Sequence, residues 1–400
     1  MSQERLLERS KSTAGRLPVI LALLSLCLAF PAVTVASPQF ARAHQVGCTT
    51  CHDLPPSLNE TGLAFQARGY RPPIEFQSAH EGGFFDTVPL AVWITGRFED
   101  QGDGGASDAL LPKVELISGG ALGDSWSYFA EWRIVSLSLR PDGSLGDRGG
   151  RFEDLFVAWG RGRHGLKLGQ YRSLNQVDVS LRLSASEPQI FGNGLPTGGD
   201  YAAPRLASLS RFSPASRSPS IGWSYRSVDG AGAGDGLFHF VTVPFTGEFS
   251  IPLSAQASET ASFELAGPKG VYAETFYRTG QRSLGGHLFV SDESWLATVL
   301  GTHGWRDLLL TAGFGVDDRD GGEMRQRASL QTEVLFRHSD RWRSALGLRL
   351  EEVTADGRRA SYVPYAALAG PNTTYTLLLQ LEYRAEEGSD SFVFDVSLLF

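Results

Sequence analysis

Sulfur is scarce in this chain. Among 400 residues there are three cysteines and two methionines, and Met1 and Cys27 fall in the leader described below. Cys48, Cys51 and Met324 are what is left. With no second cysteine pair at ligand spacing, a structural zinc site has too few donors. Basic surface is lacking too. Lys and Arg number 36 against 44 Asp and Glu, a formal charge of −8, and no basic stripe is visible, which argues against nucleic acid as a partner because nucleic acid selects basic surfaces. A glycine-rich phosphate loop, a Ser-His-Asp order and a His-Glu-x-x-His helix are all missing, so those catalytic classes have no motif to act through. Beyond residue 36 no apolar run approaches a membrane-spanning helix. Disorder is excluded as well, since 42% of residues are hydrophobic and 11% aromatic.

What is present begins with a leader. Arg5, Arg9, Lys11 and Arg16 precede the apolar run LPVILALLSLCLAF, and VTVAS places small residues at Thr34 and Ala36 ahead of Ser37. Charged, apolar and small-residue regions in that order predict a secretory signal over residues 1–36. The rival is a retained membrane helix over 17–36, and Pro31 with the small-residue ending weighs against it. Leu26 is too bulky before Cys27 for a lipoprotein cleavage box. An exported chain with one remaining Cys pair can hold a disulfide, a redox dithiol or a covalent haem.

The residue after the pair decides among them. GCTTCH, residues 47–52, is Cys-x-x-Cys-His, the attachment signature of c-type haem. On a helix, positions i, i+3 and i+4 share one face, so both thiols can reach the vinyl groups while His52 meets the iron. No βαβ pattern surrounds the pair, as a thioredoxin-like dithiol would want. The flanks predict a cradle: PQFARAHQVGC as a helix with Phe40 and His44 one turn apart, and Ser57–Glu60 as a capping box opening a helix. Leu58, Gly62 and Phe65 then share a face, with Gly62 allowing close approach to a flat macrocycle. Core packing alone would also suit Leu58 and Phe65. Segment 37–87 is too small to build a good core, so it needs a cofactor or a neighbouring surface.

For the sixth iron position Met324 lies far downstream in GGEMRQ, which leaves His44 or His80. If residues 40–52 form one helix, His44 sits about 12 Å along the axis from His52, on the proximal side. His80 follows a loop long enough to wrap the ring. The reading is therefore one covalent haem c on Cys48 and Cys51, with His52 as proximal and His80 as distal ligand. A haem without a Met ligand should have a lower potential than a His/Met one.

From residue 88 to 400 the grammar changes. In SFVFDVSLLF, positions 392, 394, 396, 398 and 400 are Phe, Phe, Val, Leu and Phe. YTLLLQLEYR sets Tyr375, Leu377, Leu379, Leu381 and Tyr383 against Gln380, Glu382 and Arg384. WRSALGLRLE and ASLQTEVLF alternate in the same way. A soluble sandwich would alternate too. Aromatic-ended segments of about ten residues with Arg, Glu and Gln opposite instead predict a lipid-spanning barrel with a wet lumen, in roughly sixteen antiparallel strands. Residues 174–218 and 246–270 read as long loops, the first one able to fold inward. Asp317, Asp318, Asp320 and Glu323 form an acidic turn that could attract cations or simply be solvated. His164, His239, His287, His303 and His338 are scattered singly and carry no assignment. The fold class is mainly β: an outer-membrane barrel over 88–400, with a small α-helical haem module over 37–87 as a plug. A barrel of this size leaves a channel wide enough for one.

FARAHQVGCTTCH, then PSLNETGLAFQARGY, then a barrel ending in Phe resembles the outer-membrane monohaem cytochrome–porin fusions, a group that includes extracellular iron oxidases. Phe40-Ala41-Arg42 matches the triplet ahead of that family's haem motif, and Leu58-Asn59, Gly62, Phe65 and Gly69-Tyr70 match the stretch after it. In letters the likeness covers about residues 38–70; in layout it covers the whole mature chain. It implies covalent haem on Cys48 and Cys51, proximal ligation by His52, and electron flow from an outside donor such as Fe(II) to a periplasmic carrier such as a soluble c-type cytochrome. The haem module would lie in the lumen or at its mouth. Two other readings compete: a solute porin gated or plugged by its haem module, and a haem sensor or small-molecule oxidoreductase with an open sixth position.

Overall fold

The computed structural model describes residues 39–44, 46–55, 57–68 and 70. From residue 90 it describes all but 101–106, 140–144, 148, 174–182, 184–216, 228–234, 248, 251–261, 264, 281, 292–293, 320–323, 340–341, 356, 371–375, 387–388 and 400. These residues all belong to one compact unit, Ala36–Phe400. The expected leader, the expected distal ligand His80, and Asp320 and Glu323 lie outside the described residues.

The N-terminal part is made of small pieces. Helix α1 (Gln39–His44) is followed by a 3-10 turn at Cys48–Thr50, strands β1 (His52–Leu54) and β2 (Ser57–Leu58), and helix α2 (Glu60–Ala67). The wall follows. Its first strands are β3 (Leu90–Asp100), β4 (Ser107–Leu122) and β5 (Trp126–Val135), then a short pair β6 (Leu137–Leu139) and β7 (Leu145–Asp147), then β8 (Arg151–Arg161), β9 (His164–Arg172), β10 (Arg217–Arg226) and β11 (Gly236–Pro244). A second short pair, β12 (Phe249–Ser250) and β13 (Ser262–Phe263), precedes β14 (Val271–Thr279), β15 (Arg282–Val290), β16 (Ser294–Trp305) and β17 (Leu308–Arg319). Last come β18 (Arg325–Arg337), β19 (Arg343–Ala355), β20 (Gly357–Gly370), β21 (Thr376–Glu386) and β22 (Ser389–Leu399).

Leaving out the two short pairs, sixteen antiparallel strands close on themselves, with β22 pairing back onto β3 through Leu399↔Trp93 to Phe392↔Asp100. Closure satisfies every strand edge, a condition that lipid imposes because it offers the backbone no hydrogen bonds. Region 246–270, expected as a loop, instead carries β12 and β13, which pair with each other and touch β8 at Ser250↔Arg151. Of 174–218 the described residues are Leu183 and the first two of β10. Leu183 is 1% exposed among inner-wall residues, and Gln380 donates to its carbonyl at 3.0 Å.

The burial pattern is inside-out relative to a soluble protein. Phe314, Leu330, Leu346, Leu350, Leu381 and Tyr383 are exposed on the outer face, while Gln331, Arg349, Glu351, Glu382 and Asp395 are buried on the inner one. That is the alternation expected of a wall with lipid outside and polar groups within. Trp126, Trp223 and Trp305 are exposed near one rim, beside the tight turns, where interfacial aromatics belong. The turns there include Gly162 at φ 56° and Gly280 at φ 54°, with Arg306 taking φ 55° in the third. Strand β22 also ends at this rim. The three longest connections, 136–150, 173–216 and 245–270, all leave the opposite one.

Inside, the wall has two unlike arcs, where the sequence suggested a uniformly wet lumen. Along β17–β22 and β3–β5 the inner face is ionic: Arg97 with Asp395, Glu115 with Lys113 and Arg133, Asp317 with Arg325 and Arg327, and Arg349 with Glu351. Asp317, read from the sequence as part of an acidic turn that could attract cations or simply be solvated, is buried between the guanidinium groups of Arg325 and Arg327. Along β8–β16 the inner face is mixed. Phe156, Tyr171, Phe238, Phe240, Tyr272, Phe276, Phe289, Leu296 and Leu300 are buried together, while Arg217 pairs with Glu131, Glu153 and Asp154, and Glu274, Arg278 and His287 are also buried. Those strands carry apolar residues on both faces, so alternation alone does not mark which side is the lumen.

Candidate functional site

Cys48 and Cys51 stand three apart across the 3-10 turn, whose closing bond runs from the Cys51 amide to the Cys48 carbonyl at 3.2 Å. In this geometry i and i+3 eclipse, so both thiols leave the same side. The expected continuous helix through residue 52 is absent: α1 stops at His44, and Gly47 is extended with ψ 155°. His52 opens β1 instead. Without one helix over residues 40–52, helical rise does not fix His44 on the proximal side; its ring lies 6.0 Å from that of Phe65.

One side chain staples the motif. Asn59 caps α2 by accepting from the Gly62 amide at 3.1 Å, and its amide group donates to the carbonyls of Thr49 and Thr50 at 3.2 and 3.1 Å. Its own backbone amide donates to the Cys51 carbonyl at 3.0 Å. The cap is thus Asn59 rather than Ser57, which lies in β2; a side-chain amide can both accept at the helix and donate to the turn, and a serine hydroxyl is too short to span both. Gly62 has a different role from the expected one. A Cβ there would stand 2.1 Å from the Cys51 carbonyl oxygen, so the glycine lets α2 press on the motif's own backbone.

The segment is tied to the inner wall near the tight-turn rim. Arg343, the first residue of β19, donates to the carbonyls of His52 at 3.1 Å and Asp53 at 2.6 Å. Cys48 Sγ lies 3.8 Å from the Thr376 hydroxyl at the start of β21. Leu54 is fully buried in a cluster with Ala345, Tyr365, Ala367, Ala369 and Leu378. On the other side Phe40 stacks on Tyr70 at 5.4 Å, and Tyr70 on Phe129 of β5 at 4.6 Å. Such pairs add about 0.5–1.5 kcal/mol each beyond area burial. Tyr70 takes φ 64°, an uncommon conformation for a non-glycine residue. Arg343 and Thr376 escape sequence reasoning because each continues an ordinary strand alternation. Asn59 carries a signal, namely a capping residue just before the helix.

The electrostatics discriminate among uses of the thiols. Cys48 and Cys51 are not joined by a disulfide. Burial pushes the Cys51 thiol up to about 11, with Cys48 adding to the effect. Burial also raises Cys48, opposed by its contact with Thr376. A reactive dithiol needs thiolates, which positive surroundings favour; burial here disfavours them. A thioether has no proton to lose, so the same burial suits covalent haem attachment, and Cys48, Cys51 and His52 fit that group. Asp53 is raised by burial, against the lowering influence of Arg337 and Arg343 and with the reinforcement of Asp307. Among the described residues no cluster of three or more His, Cys, Asp or Glu could hold a metal ion. Met324 is 58% exposed just ahead of β18, at the rim opposite the motif, where it cannot serve a haem held by Cys48 and Cys51.

No protein-family model matches the sequence, and no curated protein matches it. A solved porin structure shares the fold. Salmonella typhi OmpF, in its complex with daunomycin, aligns over 78% of this chain and 97% of its own with a TM-score of 0.51 at 11% identity. An anion-selective porin from Comamonas acidovorans covers 78% of this chain and 98% of its own, with a TM-score of 0.47 at 12% identity. The chain is built as a closed barrel of the outer-membrane porin type.

Proposed function

We propose that this porin-type barrel sits in the outer membrane and carries, within its periplasmic mouth, one c-type haem that passes electrons across the wall. Cys48 and Cys51 hold the group through thioethers, and His52 is its proximal ligand. The bound group would supply one-electron chemistry. The chain's own residues do the rest: Asn59 and Gly62 fix the motif, Arg343 and Thr376 tie it to the wall, and the buried inner side chains keep the bore from acting as an open pore. Tight turns face the periplasm in such barrels and long loops face outward. Because every wall contact of the motif lies near the tight-turn rim, a periplasmic carrier such as a soluble c-type cytochrome can approach it closely.

The observation that carries this reading is the Cys-x-x-Cys-His segment anchored through Arg343 and Leu54 to inner-wall strands. Height constrains the outside donor. Strand β19 has 13 residues, and at about 3.3 Å per residue with a tilt near 40° the wall stands roughly 30 Å tall. A protein donor stopped at the long-loop rim is too far away, so the donor must be small enough to enter the bore, as Fe(II) is. The test is to add Fe(II) anaerobically to oxidised, detergent-solubilised protein and follow haem reduction by absorbance. Reduction supports the iron version, and its absence at neutral pH removes it. A chain that lacks covalently retained haem removes the whole reading.

A second reading draws on the porin fold itself: a solute channel in which the N-terminal segment is a gate. Single-channel conductance separates the two. A conduit stays closed under all redox conditions, whereas a gate opens when the segment is displaced.

A further inference from the structure

We infer that Arg343 is a positioning residue that sets the reduction potential of the haem-bearing motif by placing a fixed cation against the backbone of the proximal ligand. The inference rests on the functional reading above. A single guanidinium nitrogen of Arg343 reaches two consecutive carbonyls, those of His52 and Asp53. In a regular strand successive carbonyls point to opposite sides. Here the pairing of β1 with β2 shifts register between His52 and Leu54, and this irregularity lets both oxygens converge on one donor.

The placement of Arg343 follows from the wall. It is the inward-pointing first residue of β19, opposite Arg337 in the β18 register. Arg337, on the same face as its register partner, pairs with Asp307 at 3.5 Å, while the contacts of Arg343 to the motif are to carbonyl oxygens. An arginine keeps its charge at any working pH, so the motif always feels a positive neighbour. Asp53, whose carbonyl it holds, also lies in the field of Arg337 and Arg343.

A cation beside a metal centre favours the form with one more electron. At an effective dielectric near 20, one charge about 10 Å from a redox centre would shift the electron-exchange equilibrium on the order of tenfold. For a one-electron couple that is about 59 mV. Arg343 thus works by charge and by geometry together, and two substitutions separate the parts. Arg343→Met keeps the length and removes the charge. Arg343→Lys keeps the charge and weakens the two-carbonyl grip.

The experiment is a spectroelectrochemical titration of full-length, haem-loaded protein in detergent, with covalent haem and low-spin character checked first. For Arg343→Met the expected result is retained covalent haem, an unchanged low-spin spectrum and a potential lowered by the equivalent of about tenfold. For Arg343→Lys the potential stays near that of the unaltered protein, while protease cuts the N-terminal segment faster. A potential unchanged in Arg343→Met with haem intact overturns the inference. If Arg343→Met fails to assemble, Arg343→Lys decides alone: a potential that falls as far as tenfold despite the conserved charge overturns it, and one that holds supports it. Unaltered protein without covalent haem would defeat the functional reading rather than the role of Arg343.

Discussion

The N-terminal segment and the barrel wall solve the problem of burial in opposite ways. The wall satisfies its backbone by closure, strand to strand, and turns its apolar side chains outward. Residues 39–70 comprise two short helices, a single 3-10 turn and two strands of two or three residues, and none of these buries a core alone. Leu54 reaches zero exposure only against Ala345, Ala367, Ala369 and Leu378 of the wall. The wall therefore specifies itself, and the segment borrows its order from the wall and from whatever its cysteines hold.

This asymmetry can be broken, and the largest expected effect comes from removing the segment. Deleting residues 37–70 should leave a heat-resistant barrel in detergent and raise its single-channel current in a planar bilayer. A barrel that no longer assembles would mean that the wall depends on its plug. Phe314→Arg attacks the other partner. Phe314 is 49% exposed on the outer face midway along β17, and Arg at the bilayer midplane costs about 2–4 kcal/mol. Urea unfolding in lipid should show that loss while covalent haem content stays constant.

Gly62→Ala acts within the segment alone. The new methyl group would meet the Cys51 carbonyl at 2.1 Å, and such overpacking costs about 1–3 kcal/mol. Faster proteolysis of the segment and lower haem incorporation are expected, with unfolding of the wall unmoved; equal loss in both regions would erase the distinction. The smallest effect is a pH dependence. Burial raises Asp53 above the usual carboxylate range when the segment is seated, so the seated form binds the proton more tightly. Seating is then strongest at low pH and weakens as pH rises through the raised value. Protease protection measured against pH should fall in that direction, and Asp53→Asn should flatten the profile. A flat profile in the unaltered chain would discard this coupling.

The wall was largely legible because strand alternation has a period of two and both its classes of residue are visible in the letters. Leu346, Leu350, Leu381 and Tyr383 face outward and Arg349, Glu351, Glu382 and Arg384 inward, as their spacing indicates. Legibility failed on β8–β16. There Val241 and Phe240, or Leu288 and Phe289, are neighbours of equal hydrophobicity, and only closure of the barrel decides which of them meets lipid. The turn at 246–270 and the buried ion pairs of Asp317 were missed for a related reason: partners far along the chain supply the contact.

In the candidate site the Cys-x-x-Cys-His spacing is plain, and thiols on one side follow from it whether the turn is α or 3-10. No single helix runs through His52, because intrinsic propensity over so few residues is weaker than the bonds Asn59 makes to Thr49, Thr50 and Cys51. His80 falls outside the described residues, so the distal ligand rests on the sequence reading.

By itself the sequence determined what is local: the leader pattern, the strand period, the cysteine spacing and the small size of the N-terminal segment. Tertiary structure alone decided which rim the motif approaches, that an aromatic cluster lines part of the bore, and that Arg343 and Thr376 are the motif's neighbours. The physical reason is that alternation and spacing are set by backbone geometry over a few residues. Contacts between residues about 290 positions apart, as between Arg343 and Asp53, exist only once sixteen strands have closed into one cylinder.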